Sequence, residues 1–128
     1  MTHDLQMLVW SAALALAQML IAVLVAISIV GLPALASNRE GLSPFTGVAL
    51  RAQRAHLNML ENLAVFAVFV IVAHLTGKAN ATTALGTTLF FWARLVYAGV
   101  YLAGIPWVRT AVWTVSFVGM VMVGSQLF

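Results

Sequence analysis

The chain contains no cysteine. It can therefore form neither a disulfide nor a cysteine-ligated metal site, and any thiol chemistry must use a thiol that a ligand brings. Charge is also scarce, because only three of the 128 residues are acidic and six are Lys or Arg. The basic residues are not gathered on one soluble face, so we expect no nucleic-acid partner.

The chain is rich in hydrophobic residues: they make up 63% of the sequence, and the mean hydropathy is +1.05. A soluble domain this small could not hide so much apolar surface, so lipid is its expected solvent and partner. A spanning helix needs about 20 apolar residues, and the pattern predicts four spans in a single domain 1–128. The predicted spans are residues 7–30, 53–76, 81–103 and 107–127.

Short connections between these spans favour antiparallel neighbours, so the predicted fold is an all-α membrane protein, an up-down bundle of four transmembrane helices. The first span does not read as a cleavable signal, because its apolar run is long and no basic segment precedes it. Most basic residues near span ends fall on one side: Arg39, Arg51, Arg54 and Arg109. The positive-inside rule then predicts this end in the cytoplasm and both termini opposite. Asp4, Arg39 and Glu40 are expected to be solvated.

The second span carries polar residues that cannot all stay in water. Its uncharged part, Leu63 to Leu75, has 13 residues and is too short to cross a bilayer, so the helix must extend back to about residue 57. This places Asn58 and Glu61 within the hydrocarbon. The third span likewise contains Arg94, about 15 Å from the basic end at 1.5 Å per residue.

Helical spacing gathers these polar groups on one face of each helix. The faces comprise Arg51, Arg54, Asn58 and Glu61 on the second span; Phe90, Arg94, Tyr97 and Tyr101 on the third; and Arg109, Thr110, Trp113 and Ser116 on the fourth. Ionisable residues at such depth normally face a bundle interior or a wet cavity, which predicts a shared polar cavity. The alternative is that Glu61 merely neutralises Arg54 or Arg94. The excess of arginine favours an anionic ligand instead.

The pattern Arg51-x-x-Arg54-Ala-His56-x-Asn58-x-x-Glu61-Asn62 closely resembles the helix-two signature of the MAPEG family, the membrane-associated proteins of eicosanoid and glutathione metabolism. The four spans and Pro106-x-x-Arg109-Thr110 resemble the family too, so the likeness covers nearly the whole chain. Leu57 resembles the glutathione transferase branch, in a bacterial-type member, more than the prostaglandin synthase branch.

The resemblance implies a homotrimer in a bacterial inner membrane, with glutathione as co-substrate between subunits near the cytoplasmic face and no metal. It implies catalytic roles for Arg109, as thiolate stabiliser, and for Thr110. The residues expected to bind glutathione are Arg51, Arg54, Asn58, Glu61, Arg94, Tyr97, Tyr101 and Trp113. A cation beside a thiol favours the thiolate, which would attack a small lipophilic electrophile from the bilayer in a transferase or peroxidase reaction.

Two other classes of function remain open at this stage. A small multidrug exporter also uses four short spans, but it needs a carboxylate in its first span, and this chain has no acid between Asp4 and Glu40. A non-catalytic assembly or ligand-binding protein of the same fold would keep the bundle without activating a thiol.

Overall fold

In a computed structural model, which describes residues 1–38 and 45–128, the chain folds into helices and contains no strand within those ranges. The helices are α1 (His3–Val30), α2 (Leu32–Ala36), α3 (Gly47–Leu75), α4 (Ala81–Ala103) and α5 (Pro106–Ser125). All but α2 are long and apolar enough to cross a membrane. The prediction of an all-helical, multi-pass membrane protein with four candidate spans is thus confirmed. Arg39 and Glu40 lie outside the described residues.

The turns on both sides of α4 follow directly from local sequence. Asn80 caps the start of α4: its side chain accepts hydrogen bonds from the backbone N–H groups of Thr82 and Thr83, and the Thr83 hydroxyl accepts one in return from the backbone N–H of Asn80. Gly104 ends the helix in the left-handed region at φ +78°, where a side chain would be strained. Pro106 then opens α5 at a position that needs no N–H donor.

Helix α3 begins at Gly47, earlier than the predicted start near residue 53. The polar motif therefore lies within one continuous helix of 29 residues, about 43 Å long at 1.5 Å per residue. This exceeds the hydrocarbon thickness of about 30 Å, so the helix can carry polar residues at membrane depth and still reach water. The short α2 follows the first span and was not predicted.

Contacts between side chains establish that neighbouring spans alternate in direction. Asn58 meets Arg94, whereas Phe66 stacks on Phe90 at 3.8 Å between ring centroids, so α3 and α4 are antiparallel. Helices α4 and α5 make the most extensive contact. They cross so closely that a Cβ on Gly119 would lie 2.5 Å from the carbonyl oxygen of Gly86. Only glycine permits this approach, which fixes the side of α4 on which α5 packs.

Asp4 corrects one prediction, because it is buried rather than solvated, with 6% of its surface exposed. Its carboxylate accepts hydrogen bonds from the hydroxyls of Thr83 at 2.7 Å and Thr87 at 3.4 Å. Helix α1 begins at His3 instead of residue 7, which brings Asp4 alongside the first turns of α4. The positive end of a helix dipole favours a carboxylate there.

We call this end of the bundle, which also holds the chain termini, the far end. We call the opposite end the basic end.

Candidate functional site

Three helices line an open polar cavity of about 440 Å³ near the basic end. Its walls come from α3, α4 and α5: Arg54, Leu57, Asn58, Glu61, Tyr97, Tyr101 and Arg109. A smaller pocket of about 140 Å³ shares Asn58, Tyr97 and Arg109 with it and adds Thr110 and Trp113. We call the two together the polar cavity. Of the ten residues predicted to form a site, eight line it.

Arg94 stands behind the cavity wall and positions two of its residues. It is 1% exposed, and its Nη2 donates a 2.9 Å hydrogen bond to Oδ1 of Asn58. Its guanidinium carbon lies 4.1 Å from the centre of the Tyr97 ring, a cation–π distance. Among the described residues, its Nε and Nη1 have no hydrogen-bond partner. Arg94 thus supports Asn58 and Tyr97 instead of lining the cavity itself.

The amide of Asn58 is oriented by its neighbours. Its Oδ1 accepts one hydrogen bond from Arg94 and a second, of 3.3 Å, from Nδ2 of Asn62. Asn62 also donates to the Asn58 backbone carbonyl at 2.8 Å, which anchors it one turn along α3. Because the oxygen is engaged, the Nδ2 of Asn58 is left as the donor; it makes no hydrogen bond within residues 1–38 and 45–128. The cavity therefore offers an amide N–H to a ligand carbonyl or carboxylate.

Arg109, in the first turn of α5, is held over an aromatic pair on α4. Its guanidinium carbon lies 4.7 Å from the Tyr101 ring centre, and Tyr101 meets Tyr97 edge-on at 5.5 Å between centroids. The turn at Gly104 places this part of α5 against the end of α4. Arg109 is half-buried and forms no ion pair with any described carboxylate. Its N–H donors are consequently free for a bound anion.

Glu61 does not act as a neutralising partner in this structure. Both Glu61 and Arg54 are exposed, and within the described part of the chain Glu61 makes no hydrogen bond or ion pair. Two arginines, Arg54 and Arg109, line the cavity with this one carboxylate, so the charges of these three residues sum to +2 − 1 = +1. Arg94 adds a further positive charge behind the wall. The surplus of positive charge that the sequence indicated is thus located at one cavity.

Arg51 lies elsewhere than predicted. Its Nε donates a 3.1 Å hydrogen bond to the backbone carbonyl of Leu102, and the side chain packs beside Gly104. This satisfies one of the carbonyls that the end of α4 leaves without a helical partner. Arg51 is therefore a cap of α4 and is not among the residues that line the polar cavity.

Thr110 and Trp113 line the smaller part of the cavity. The Thr110 hydroxyl donates to the Pro106 carbonyl at 3.2 Å, so its proton is already engaged. The Trp113 ring stacks on Phe117 at 5.4 Å between centroids. Ser116, predicted on the same face, is fully buried and donates to the Trp113 carbonyl. Thr110 would have to rotate before it could donate to a ligand.

His56, which belongs to the same sequence motif, does not line the polar cavity. It lines a different cavity of about 440 Å³ between α1, α2 and α3, whose walls are mainly apolar. A polar residue that sequence analysis missed is Gln18 on α1, which is 6% exposed. Asp4, Ser11 and Gln18 recur every seven residues on the buried face of α1. That spacing was the available signal.

Comparison with known proteins agrees with the geometry. The model of the MAPEG family matches residues 7–128, which is nearly the whole chain. No significant match was found among curated proteins or among solved structures.

Proposed function

The chain belongs to the MAPEG family of membrane proteins of glutathione and eicosanoid metabolism, and we propose that it is a glutathione-dependent enzyme of the transferase or peroxidase type. In this proposal, glutathione as co-substrate occupies the polar cavity, and its thiol reacts with a small lipophilic electrophile from the bilayer. The supporting observation is the convergence of Arg54, Asn58, Glu61 and Arg109 on one cavity of about 440 Å³. That volume is within the range of about 300–1,000 Å³ typical of small-molecule sites.

The cavity's charge fits this ligand. At neutral pH glutathione has two carboxylates and one ammonium, and ionising its thiol leaves an excess of two negative charges. The charged residues that line the cavity, Arg54, Arg109 and Glu61, sum to +1, and Arg94 adds a further positive charge behind its wall. Arginine binds carboxylates through paired N–H donors, so Arg54 is suited to a carboxylate, whereas Glu61 is suited to the ammonium. The Asn58 amide N–H is suited to a peptide carbonyl.

Arg109 is proposed to stabilise the thiolate. When bound, glutathione would supply the nucleophilic sulfur. A guanidinium held near that sulfur favours its ionised form and lowers its pKa. Contact with the Tyr101 ring holds the guanidinium in place, so it need not reorganise when charge develops. Thr110 is proposed to assist after its hydroxyl turns from Pro106.

We further propose that copies of the chain close the cavity by forming a homotrimer. Arg54 and Glu61 are exposed at the open side of the cavity. Charged side chains that face hydrocarbon are costly and normally face protein or water. A neighbouring subunit would cover them and complete the site. Cross-linking in native membranes, followed by mass determination in detergent, tests for a trimer against a monomer or dimer.

The cytoplasmic placement of the cavity, in a bacterial inner membrane, is part of the same proposal. Arg51, Arg54 and Arg109 lie at the basic end, whereas Lys78 lies at the far end. This imbalance favours a cytoplasmic basic end. A single cysteine introduced at Lys78, labelled by a membrane-impermeant reagent in intact cells, would support this orientation; protection there would contradict it.

The decisive experiment is thermal unfolding of the detergent-purified protein with glutathione. Binding to the folded state must raise the melting temperature. At a glutathione concentration of one hundred times Kd, the folded state gains about 2.7 kcal/mol of stability. Arg109→Ala should abolish the ultraviolet absorbance of the bound thiolate and largely spare binding. Lys78→Ala, at the far end, should change neither signal.

Each other outcome has a defined meaning. If glutathione causes no shift in the wild-type protein, the cavity does not bind this ligand and the proposal fails. If it binds without a thiolate signal or turnover, the non-catalytic ligand-binding alternative is favoured. If Arg109→Ala abolishes binding as well, Arg109 positions the peptide and does not act on the thiol.

A further inference from the structure

The buried side chain of Tyr97 keeps its hydroxyl in contact with the polar cavity. Tyr97 is 4% exposed, and it lines both the larger and the smaller part of that cavity. Its hydroxyl makes no hydrogen bond with the described residues, yet the oxygen is not one of the buried atoms that lack a partner. The oxygen is therefore among the few atoms of Tyr97 that a bound molecule can reach, and its proton is not engaged.

The other groups in the smaller part of the cavity do not offer a proton that can be transferred. Besides Tyr97, that part is lined by Asn58, Arg109, Thr110 and Trp113. The Thr110 hydroxyl already donates to the Pro106 carbonyl. Amide, indole and guanidinium N–H groups donate hydrogen bonds without giving up the proton near neutral pH. Tyrosine is one of the side chains that act as general acids in enzymes.

Arg94 is placed to assist proton transfer from this hydroxyl. Its guanidinium carbon lies 4.1 Å from the centre of the Tyr97 ring. When the proton leaves, negative charge develops on the oxygen of that same ring, and a cation already in position stabilises it without reorganising. Tyr101 differs in location, because it lines only the larger part of the cavity and its ring is in contact with Arg109.

The smaller part of the cavity also connects to the bilayer through aromatic side chains. The Trp113 ring stacks on Phe117 at 5.4 Å between centroids, and Phe117 is exposed on the surface of α5. Aromatic and apolar walls with a few convergent polar groups are typical of small-molecule sites. An apolar molecule from the bilayer can lie along these two rings, with its reactive end between Arg109 and Tyr97.

We propose that Tyr97 is the catalytic acid, which gives its proton to the oxygen that the electrophile releases. This inference rests on the function proposed above. With an epoxide, the thiolate sulfur forms a bond to carbon, the carbon–oxygen bond breaks, and the oxygen takes the Tyr97 proton to become a hydroxyl. The proton that the thiol gave to water on ionising then returns to the Tyr97 oxygen through the open cavity. Tyr97 thus favours electrophiles with an oxygen leaving group over aryl halides, which release halide and need no proton.

Turnover of two electrophiles by the detergent-purified protein tests this role. Styrene oxide needs a proton, whereas chlorodinitrobenzene releases chloride. Tyr97→Phe removes only the hydroxyl and should lower kcat with styrene oxide about 100-fold, at the lower end of the range for general acid catalysis. It should leave unchanged the kcat with chlorodinitrobenzene, the KM for glutathione and the absorbance of the bound thiolate.

Two controls accompany this variant. Ser125→Ala also removes one hydroxyl, at the far end of α5, where that group donates to the Met122 carbonyl, and it should change neither rate. The second control is a solvent isotope effect on the wild-type protein. In deuterium oxide, turnover of styrene oxide should slow relative to that of chlorodinitrobenzene, because only the first reaction transfers a proton as the leaving group departs.

The proposal is overturned if Tyr97→Phe slows both reactions equally, since the hydroxyl would then act on the thiol. A rise in the KM for glutathione with both electrophiles also overturns it, because the hydroxyl would then bind the peptide. So does an equal isotope effect on the two reactions, which is measured on wild-type protein and decides the matter even if Tyr97→Phe fails to fold. Failure of the proposed function gives a different result: wild-type protein turns over neither electrophile and shows no thermal shift with glutathione.

Discussion

Arg94 and Asn58 should respond unequally to removal, although they form one hydrogen bond. Asn58→Ala leaves a guanidinium of 1% exposure without its described partner for Nη2. Its Nε and Nη1 already have none. An uncompensated buried charge costs about 3–5 kcal/mol. We therefore expect Asn58→Ala to lower the free energy of unfolding by about 3 kcal/mol, at the lower end of that range.

Arg94→Met removes the charge itself. The cation–π contact with Tyr97 is lost, but the free-energy cost of burying the guanidinium is removed as well. Oδ1 of Asn58 keeps the hydrogen bond from Asn62. Replacing buried ionic groups by apolar ones of similar volume is often neutral or stabilising. The expected loss is about 1 kcal/mol or less. The double variant should then be about 2 kcal/mol more stable than Asn58→Ala alone.

Unfolding in mixed micelles with increasing dodecyl sulfate, followed by circular dichroism, measures these differences. Arg51→Met is the control, since that arginine is partly exposed and bonds only the Leu102 carbonyl among described residues; a loss near 1 kcal/mol is expected. The reasoning is refuted if Arg94→Met costs more than Asn58→Ala, or if the double variant is the least stable. In either case Arg94 would have a strong partner other than Asn58.

Three further changes test other contacts. Gly119→Ala places a Cβ 2.5 Å from a backbone oxygen of α4 and should lower the free energy of unfolding by about 1–3 kcal/mol. Gly99→Ala is the control, because its Cβ would meet nothing within 4 Å, and it should not lower stability. Thermal melting distinguishes the two variants. Asp4→Leu removes one acceptor of the Thr83 hydroxyl but leaves it the Asn80 carbonyl at 2.9 Å; it should therefore cost about 0.5–1.5 kcal/mol in the same assay. Glu61→Gln should weaken glutathione binding about tenfold, as measured by calorimetry. It should not change the melting temperature of the unliganded protein, because Glu61 has no partner among the described residues. A fall in that temperature would contradict this role.

Helical periodicity was sufficient to predict most of the polar cavity. Arg54, Asn58 and Glu61 share one face of α3, and intramembrane charge must face an interior, so their convergence with Arg109 could be inferred without coordinates. Periodicity could not predict the different fate of Arg51. Whether an arginine one turn further along the same arc reaches a ligand or a helix end depends on where α4 stops, and Gly104 determines that locally.

The misjudged residues on α1 share a physical cause. A polar residue near the end of an apolar helix, such as Asp4, is expected to be solvated. An uncharged polar residue in the middle, such as Gln18, gives no signal of its own. Burial depends instead on which side of α1 faces α4, and most of the other residues on that helix are apolar whichever way they point. The seven-residue recurrence of Asp4 and Gln18 indicates a common face, but not that the face is an interior one.

The two ends of the bundle differ in how completely their polar groups are satisfied, and this difference identifies the site on physical grounds. At the far end, Asp4 accepts from Thr83, and Asn80 caps α4, so buried groups pair within the chain. Toward the basic end, Glu61 and Arg109 lack ionic partners among the described residues, although both occupy one cavity. Unpaired charge at membrane depth is unfavourable in an isolated chain. A ligand and a neighbouring subunit, as proposed above, would supply the missing partners, so the physical argument assigns binding to the basic end and helix packing to the far end.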